Sequence, residues 1–160
     1  MDYNKSIIVY FSLSNNTRQI AEYIQEQTGA EIIQIVPITP YPLAFHDTID
    51  EMSRQNKNKL LPSIQNITLD FQDYSTIYLG YPVWDSRLPP VLRTFLKGKD
   101  FKGKTIVPFN THKGFGTGKS VKEIRDFASG AKVLNALSIE EKAIKVAAET
   151  VTNWLSKLGA

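Results

Sequence analysis

A chain of 160 residues with 42% apolar content can bury the core of one domain, and the absence of cysteine excludes disulfides, thiolate nucleophiles, iron–sulfur ligation and cysteine-based zinc sites. The only imidazoles, His46 and His112, are too far apart in sequence for a histidine-rich metal site, and no apolar run approaches the ~20 residues of a membrane span. The formal charge of +3 is uneven: residues 1–85 carry ten acids against five Lys/Arg, and residues 86–160 carry six against fourteen. Eight basic residues between Arg93 and Lys122 face one acid, Asp100, but no recognition-helix, RNP or zinc-finger pattern accompanies them. They read as a solvated surface, not a nucleic-acid site.

In chain order, Met1 to Lys5 lacks the apolar stretch of a secretory signal, so a soluble, cytoplasmic protein is expected. Ser6–Phe11 is a continuous apolar run that predicts a buried parallel strand. It enters the turn Ser12-Leu13-Ser14-Asn15-Asn16-Thr17 and then a helix from Arg18 to Thr28, with Ile20, Tyr23 and Ile24 on one stripe and Gly29 as its stop. A strand that ends in hydroxyl and amide side chains at a helix N-terminus suits a phosphate, although the same cluster also serves as an ordinary N-cap. The turn contains no lysine, which fits a permanently bound monophosphate ester better than a transferable phosphoryl group.

Glu31–Val36 predicts a second strand, and Pro40–Lys59 a polar helix that fits the alternation less well and carries His46 on its surface, with a loop to about Ile67. Thr76–Tyr81 predicts the third strand, followed by the loop Gly80-Tyr81-Pro82-Val83-Trp84-Asp85-Ser86-Arg87-Leu88-Pro89. There the Trp84 indole either offers a stacking surface for a flat ring or packs on a hydrophobic edge. Pro89-Pro90 starts a helix with Leu92, Phe95 and Leu96 inward. Thr105–Phe109 predicts the fourth strand and opens into Asn110-Thr111-His112-Lys113-Gly114-Phe115-Gly116-Thr117-Gly118, whose glycines either admit a planar ligand or simply turn the chain. Val121, Ile124, Phe127 and Ala128 mark the next helix, Lys132–Ala136 a fifth strand, and the periodic residues Ile144 to Leu158 a last helix behind the capping box Ser138-Ile139-Glu140-Glu141.

Five strands alternating with helices predict one domain over residues 1–160 with a doubly wound α/β sheet, its ligand beyond the carboxyl ends of the strands. Gly114 to Ser120 also approaches a Walker loop, but Lys113 stands where its first glycine belongs and no strand ends in a metal-binding aspartate. His112 reads either as a proton donor or as a residue that orients its loop.

On these motifs the chain resembles the short-chain flavodoxins of bacteria from Ser6 to Gly159. The family's phosphate loop corresponds to Ser12, Ser14, Asn15, Asn16 and Thr17. Its Gly-Tyr/Phe-Pro-x-Trp signature corresponds to Gly80 to Trp84, and its Thr-His-Gly-Gly-Ser-Gly loop to Thr111 to Gly116. The resemblance implies a five-stranded parallel sheet of order 2-1-3-4-5 with helices on both faces and noncovalent FMN. The phosphate would lie on the first loop, and the ring between Pro82, Val83, Trp84, Asp85 and Thr111, His112, Lys113, Gly114, Phe115, Gly116, with no catalytic acid or base and no metal.

It further implies electron transfer between redox partner proteins, a reductase and an acceptor; the alternative is an NAD(P)H-dependent FMN reductase acting on a quinone or similar acceptor, suggested by Lys113 and the basic half. Three departures stand out. Asn15 replaces glycine, a change positive φ tolerates in asparagine. Asp85 replaces a second tryptophan, and Lys113 and Phe115 replace Gly and Ser. The basic second half also differs from typical flavodoxins, which are acidic and dock onto basic partners.

Overall fold

The computed structural model describes residues 5–159; Met1 to Asn4, part of the stretch read for its lack of an apolar run, and Ala160 lie outside the described residues. In chain order the elements are β1 (Ser6–Tyr10), α1 (Asn16–Thr28), β2 (Glu31–Gln34), α2 (Phe45–Lys57), β3 (Thr76–Pro82), α3 (Pro90–Leu96), β4 (Thr105–His112), α4 (Ser120–Phe127), β5 (Lys132–Val133), β6 (Leu137–Glu140) and α5 (Ala148–Leu158). All strand pairs are parallel, in the order β2-β1-β3-β4-β5, with β6 also on β4. This is the doubly wound order the resemblance implies.

The continuous apolar runs resolve into two alternating half-cores, because successive strand residues point to opposite faces. Ile7, Val9, Ile77, Leu79 and Ile106 meet Leu92 and Phe95 of α3 and Ile124 of α4 on one face. Ile8, Tyr10, Tyr78, Val107 and Phe109 meet Ile20 and Ile24 of α1 and Val151 and Leu155 of α5 on the other. The central strands are buried because both faces are covered. Gly80 lets β3 approach β4 here: an added Cβ would lie 2.2 Å from the Phe109 ring.

Three sequence expectations change. Of the fifth strand, expected as Lys132–Ala136, only Lys132–Val133 is strand; Leu134 N still donates to Ile106 O at 3.0 Å, Asn135 and Ala136 leave the ladder, and β6 resumes it beyond the expected range. From Val133 to Leu137 is four positions while their partners Ile106 and Phe109 are three apart, so the edge strand carries one extra residue, as in a β-bulge. The expected capping box is largely strand: Ser138 and Glu140 lie in β6, Ser138 Oγ donates to Asn110 Oδ1 at 2.6 Å, and α5 begins only at Ala148, after a 3₁₀ segment over Glu141–Val146. The strand outcompetes the cap because Leu137 and Ile139 are buried against the second half-core. Finally, β3 and β4 run past their expected ends, so Pro82 and Asn110 to His112 are strand rather than loop. Among the described residues no helix is long and apolar enough to cross a membrane.

Candidate functional site

The carboxyl ends of β1, β3 and β4 open onto a cavity of about 660 Å³. Of the residues singled out from the sequence, Ser14, Pro82, Val83, Trp84, Asp85, His112, Lys113, Phe115 and Gly116 line it. Ser12, Asn15, Asn16, Thr17, Thr111 and Gly114 do not. A further wall, which the sequence reading missed, comes from Leu43, Phe45, Thr48 and Ile49 at the entry and first turns of α2, with Glu141 beyond β6. Leu43 and Phe45 are 90% and 55% exposed, so apolar groups ring the mouth.

The first loop turns sharply enough to start α1 because Asn15 adopts φ 68°, the left-handed conformation expected of the glycine it replaces. Its side chain makes no capping bond, and Ser12 Oγ accepts from Arg18 N at 3.3 Å. The buried hydroxyls of Thr17 and Thr111 bond each other at 2.9 Å and tie the first loop to the third. Arg18 is committed to Glu22 at 2.9 Å, so the loop offers neutral side-chain donors and the positive end of α1.

The second loop is a two-residue hairpin. Trp84 and Arg87 exchange backbone hydrogen bonds of 3.1 and 2.9 Å, with Asp85 and Ser86 between them at φ 51° and 57°, the signature of a type I′ turn. The half-buried indole is braced edge-on by Phe11 at 5.4 Å and Tyr41 at 5.0 Å between ring centres. Tyr41 is in turn held by its hydroxyl, which donates to Gln55 Oε1 at 2.6 Å. Trp84 is thus both a packed residue and part of the cavity wall.

In the third loop His112 Nδ1 accepts from Gly114 N at 2.9 Å and Gly116 N at 3.2 Å. The neutral ring therefore carries its proton on Nε2, and the side chain orients the loop. Beneath it, the fully buried Asn110 donates to Thr117 Oγ1 and accepts from Ser138, while the Tyr81 hydroxyl bonds Ser120 at 2.8 Å. Burial pushes the Tyr81 phenol up to about 12. The near-Walker stretch is accounted for by packing: Ser120 is buried and donates to Thr117 O, and Lys119 N donates to Ser86 O.

The cavity wall carries one cation and two acids, and the lysines from Lys97 to Lys104 lie elsewhere. Lys113 is the one Lys or Arg among the lining residues, and its Nζ sits 3.7 Å from the centre of the Phe45 ring, a cation–π contact across the mouth. Lys97, Lys99, Lys102 and Lys104 follow α3 and lead into β4, at the opposite edge of the sheet. Lys104 Nζ is buried on Tyr74 O at 2.6 Å, and burial against Phe95 lowers the pKa of Lys99. Asp85 and Glu141 supply the acids of the wall.

Comparison with known proteins agrees with this geometry. A family model described as flavodoxin matches residues 5–158. A protein from Bacteroides uniformis described as a candidate flavoprotein superposes with a TM-score of 0.85 at 26% identity, covering 97% of this chain and 99% of its own. A second, from Bacteroides eggerthii, gives 0.76 at 27% identity over 92% and 98%. A Lactobacillus acidophilus flavoprotein solved with FMN shares the fold, with a TM-score of 0.73 at 23% identity over 89% and 97%. No curated protein matches the chain in sequence. With the sheet order and a match that spans nearly every residue, the chain belongs to the flavodoxin family.

Proposed function

We propose that the chain binds FMN noncovalently in this cavity and carries electrons between redox partner proteins. The observation that carries the reading is the convergence of the loops after β1, β3 and β4 on one aromatic-walled cavity of about 660 Å³, within the size of cofactor sites. The residues present fit the group. The phosphate would lie at the cavity's edge beside α1, where Ser14 lines the wall and Ser12, Asn15, Asn16 and the first N–H groups of α1 adjoin it without a cation, and the braced Trp84 would flank the ring with Phe115, which is 87% exposed at the rim. FMN, when bound, supplies the electron-transfer chemistry. The protein's part is to hold the ring and shield one side of it.

The placement of charge supports a carrier over a pyridine-nucleotide reductase. Lys113 is engaged with Phe45, and the lysines from Lys97 to Lys104 lie far from the mouth, where they would not guide an anionic dinucleotide into it. The test is titration of the purified protein with FMN. The expected result is a saturable quenching of flavin fluorescence and a shifted visible band that stays with the protein on desalting; a protein that remains colourless sinks the reading. Rapid mixing of the loaded protein with NADPH then separates the two roles, since a carrier leaves the flavin absorbance unbleached.

A further inference from the structure

The hairpin that carries Trp84 is not favoured by its own sequence. Its second turn residue, Ser86, holds φ 57° where glycine is the usual occupant, so the conformation has to be imposed from outside. The imposing contacts come from α4 and the residues before it. Ser86 O accepts from Lys119 N at 2.7 Å. Gly118 makes that approach possible, because an added Cβ there would lie 2.4 Å from Ser86 O.

In the first turn of α4, Glu123 Oε1 accepts from Leu88 N at 3.1 Å, and Arg87 Nε and Nη2 donate to the two carboxylate oxygens at 3.4 and 3.3 Å. Arg93 Nη1 stands 3.6 Å from the same carboxylate. That guanidinium is buried, and Nη1 and Nη2 have no hydrogen-bond partner among the described residues, so Glu123 is the countercharge that answers it. One carboxylate therefore sits between two guanidiniums and grips the segment Arg87-Leu88 that returns from Trp84.

We propose that Glu123 is a positioning residue for the cofactor ring. Its bonds to Arg87 and Leu88 fix Arg87, whose backbone pairs with Trp84, and thereby set where the indole stands in the cavity wall. Glu123 itself does not line the cavity. The inference rests on the FMN reading above, and it assigns part of the ring's affinity to a residue on a helix behind the site.

The test uses the full chain with Trp154→Phe, which leaves Trp84 as the single indole. Acrylamide quenching of the flavin-free protein is compared for the parent, Glu123→Ala and Glu123→Gln. FMN dissociation constants are measured with and without Trp84→Ala. Loss of a charged hydrogen-bond hub is expected to raise both indole quenching and, about tenfold, the FMN dissociation constant in Glu123→Ala, with a smaller change of the same sign in Glu123→Gln. In the Trp84→Ala background the Glu123→Ala step is expected to shift affinity by less than about twofold, because the interaction it acts through is gone. Unchanged quenching in both variants overturns the assignment. So does an equal affinity loss in both backgrounds, which marks Glu123 as support for the fold in general. A parent that takes up no flavin overturns the FMN reading instead, and the quenching comparison alone then decides the role of Glu123.

Discussion

Asn15 and Gly80 show how much a single backbone position can decide. At φ 68° Asn15 occupies a region that costs most residues energy, which asparagine relieves in part and glycine avoids. Asn15→Ala is expected to lower stability by about 1 kcal/mol, while Asn15→Gly stays within roughly 0.5 kcal/mol, both read from urea midpoints at constant slope. Gly80 is constrained by space alone, since a methyl group would meet the fully buried Phe109 ring at 2.2 Å. Gly80→Ala is expected to cost about 3 kcal/mol by overpacking, measured in the same way, and Gly80→Ala combined with Phe109→Leu should recover part of the loss. Asn15 was legible in the sequence, because a turn between strand and helix names the residues that tolerate its geometry. The reason Gly80 must be glycine was not, because it depends on a strand more than twenty residues away.

At the level of elements, periodicity found every buried strand that lies between helices and misjudged the edge. Ser6–Phe11 and Thr76–Tyr81 are continuous apolar runs, and burial on both faces leaves them no other placement. Leu137–Glu140 alternates and follows an extra residue, so its Ser and Glu imitated a helix cap. The distinguishing partner is Asn110, which accepts from Ser138 and donates to Thr117, and no local pattern reveals it. Asn110→Ala is expected to destabilise the protein by about 2 kcal/mol by removing the hydrogen bonds that this buried amide makes to Thr117 and Ser138. Hydrogen exchange should report the loss in β6 and the loop 113–118 before β1. The wall from α2 escaped for a related reason. Leu43 precedes the helix, and Phe45 and Ile49 share helical spacing with the buried Met52 and so read as core; their role is set by the cavity they border, across which Lys113 reaches Phe45.

Across the whole molecule, the two half-cores bury tyrosines as well as aliphatic residues, and that sets how stability answers to alkali. Desolvation is the first cause that raises the pKa of Tyr10, Tyr41, Tyr78 and Tyr81, to about 12 for Tyr81, from an unfolded value near 10.0. Between those limits the unfolded chain has lost phenolic protons that the native chain retains, so unfolding releases protons and becomes easier as pH rises. Their contribution is complete below pH 10 and is lost as pH climbs through the folded values. Lys99, lowered by burial, acts in the opposite direction just below its ordinary range. The expected profile is a urea midpoint that holds through neutral pH and falls steeply from pH 10 to 12. Tyr81→Phe separates the two roles of that phenol. At neutral pH it should cost about 1 kcal/mol, since it removes the hydroxyl that bonds Ser120 and leaves that partner one bond short. Above pH 10 the same variant should decline less steeply than the parent, because one buried proton no longer has to be held. A parallel decline in the two proteins would mean that Tyr81 ionises as freely folded as unfolded, and that the floor beneath the third loop admits water.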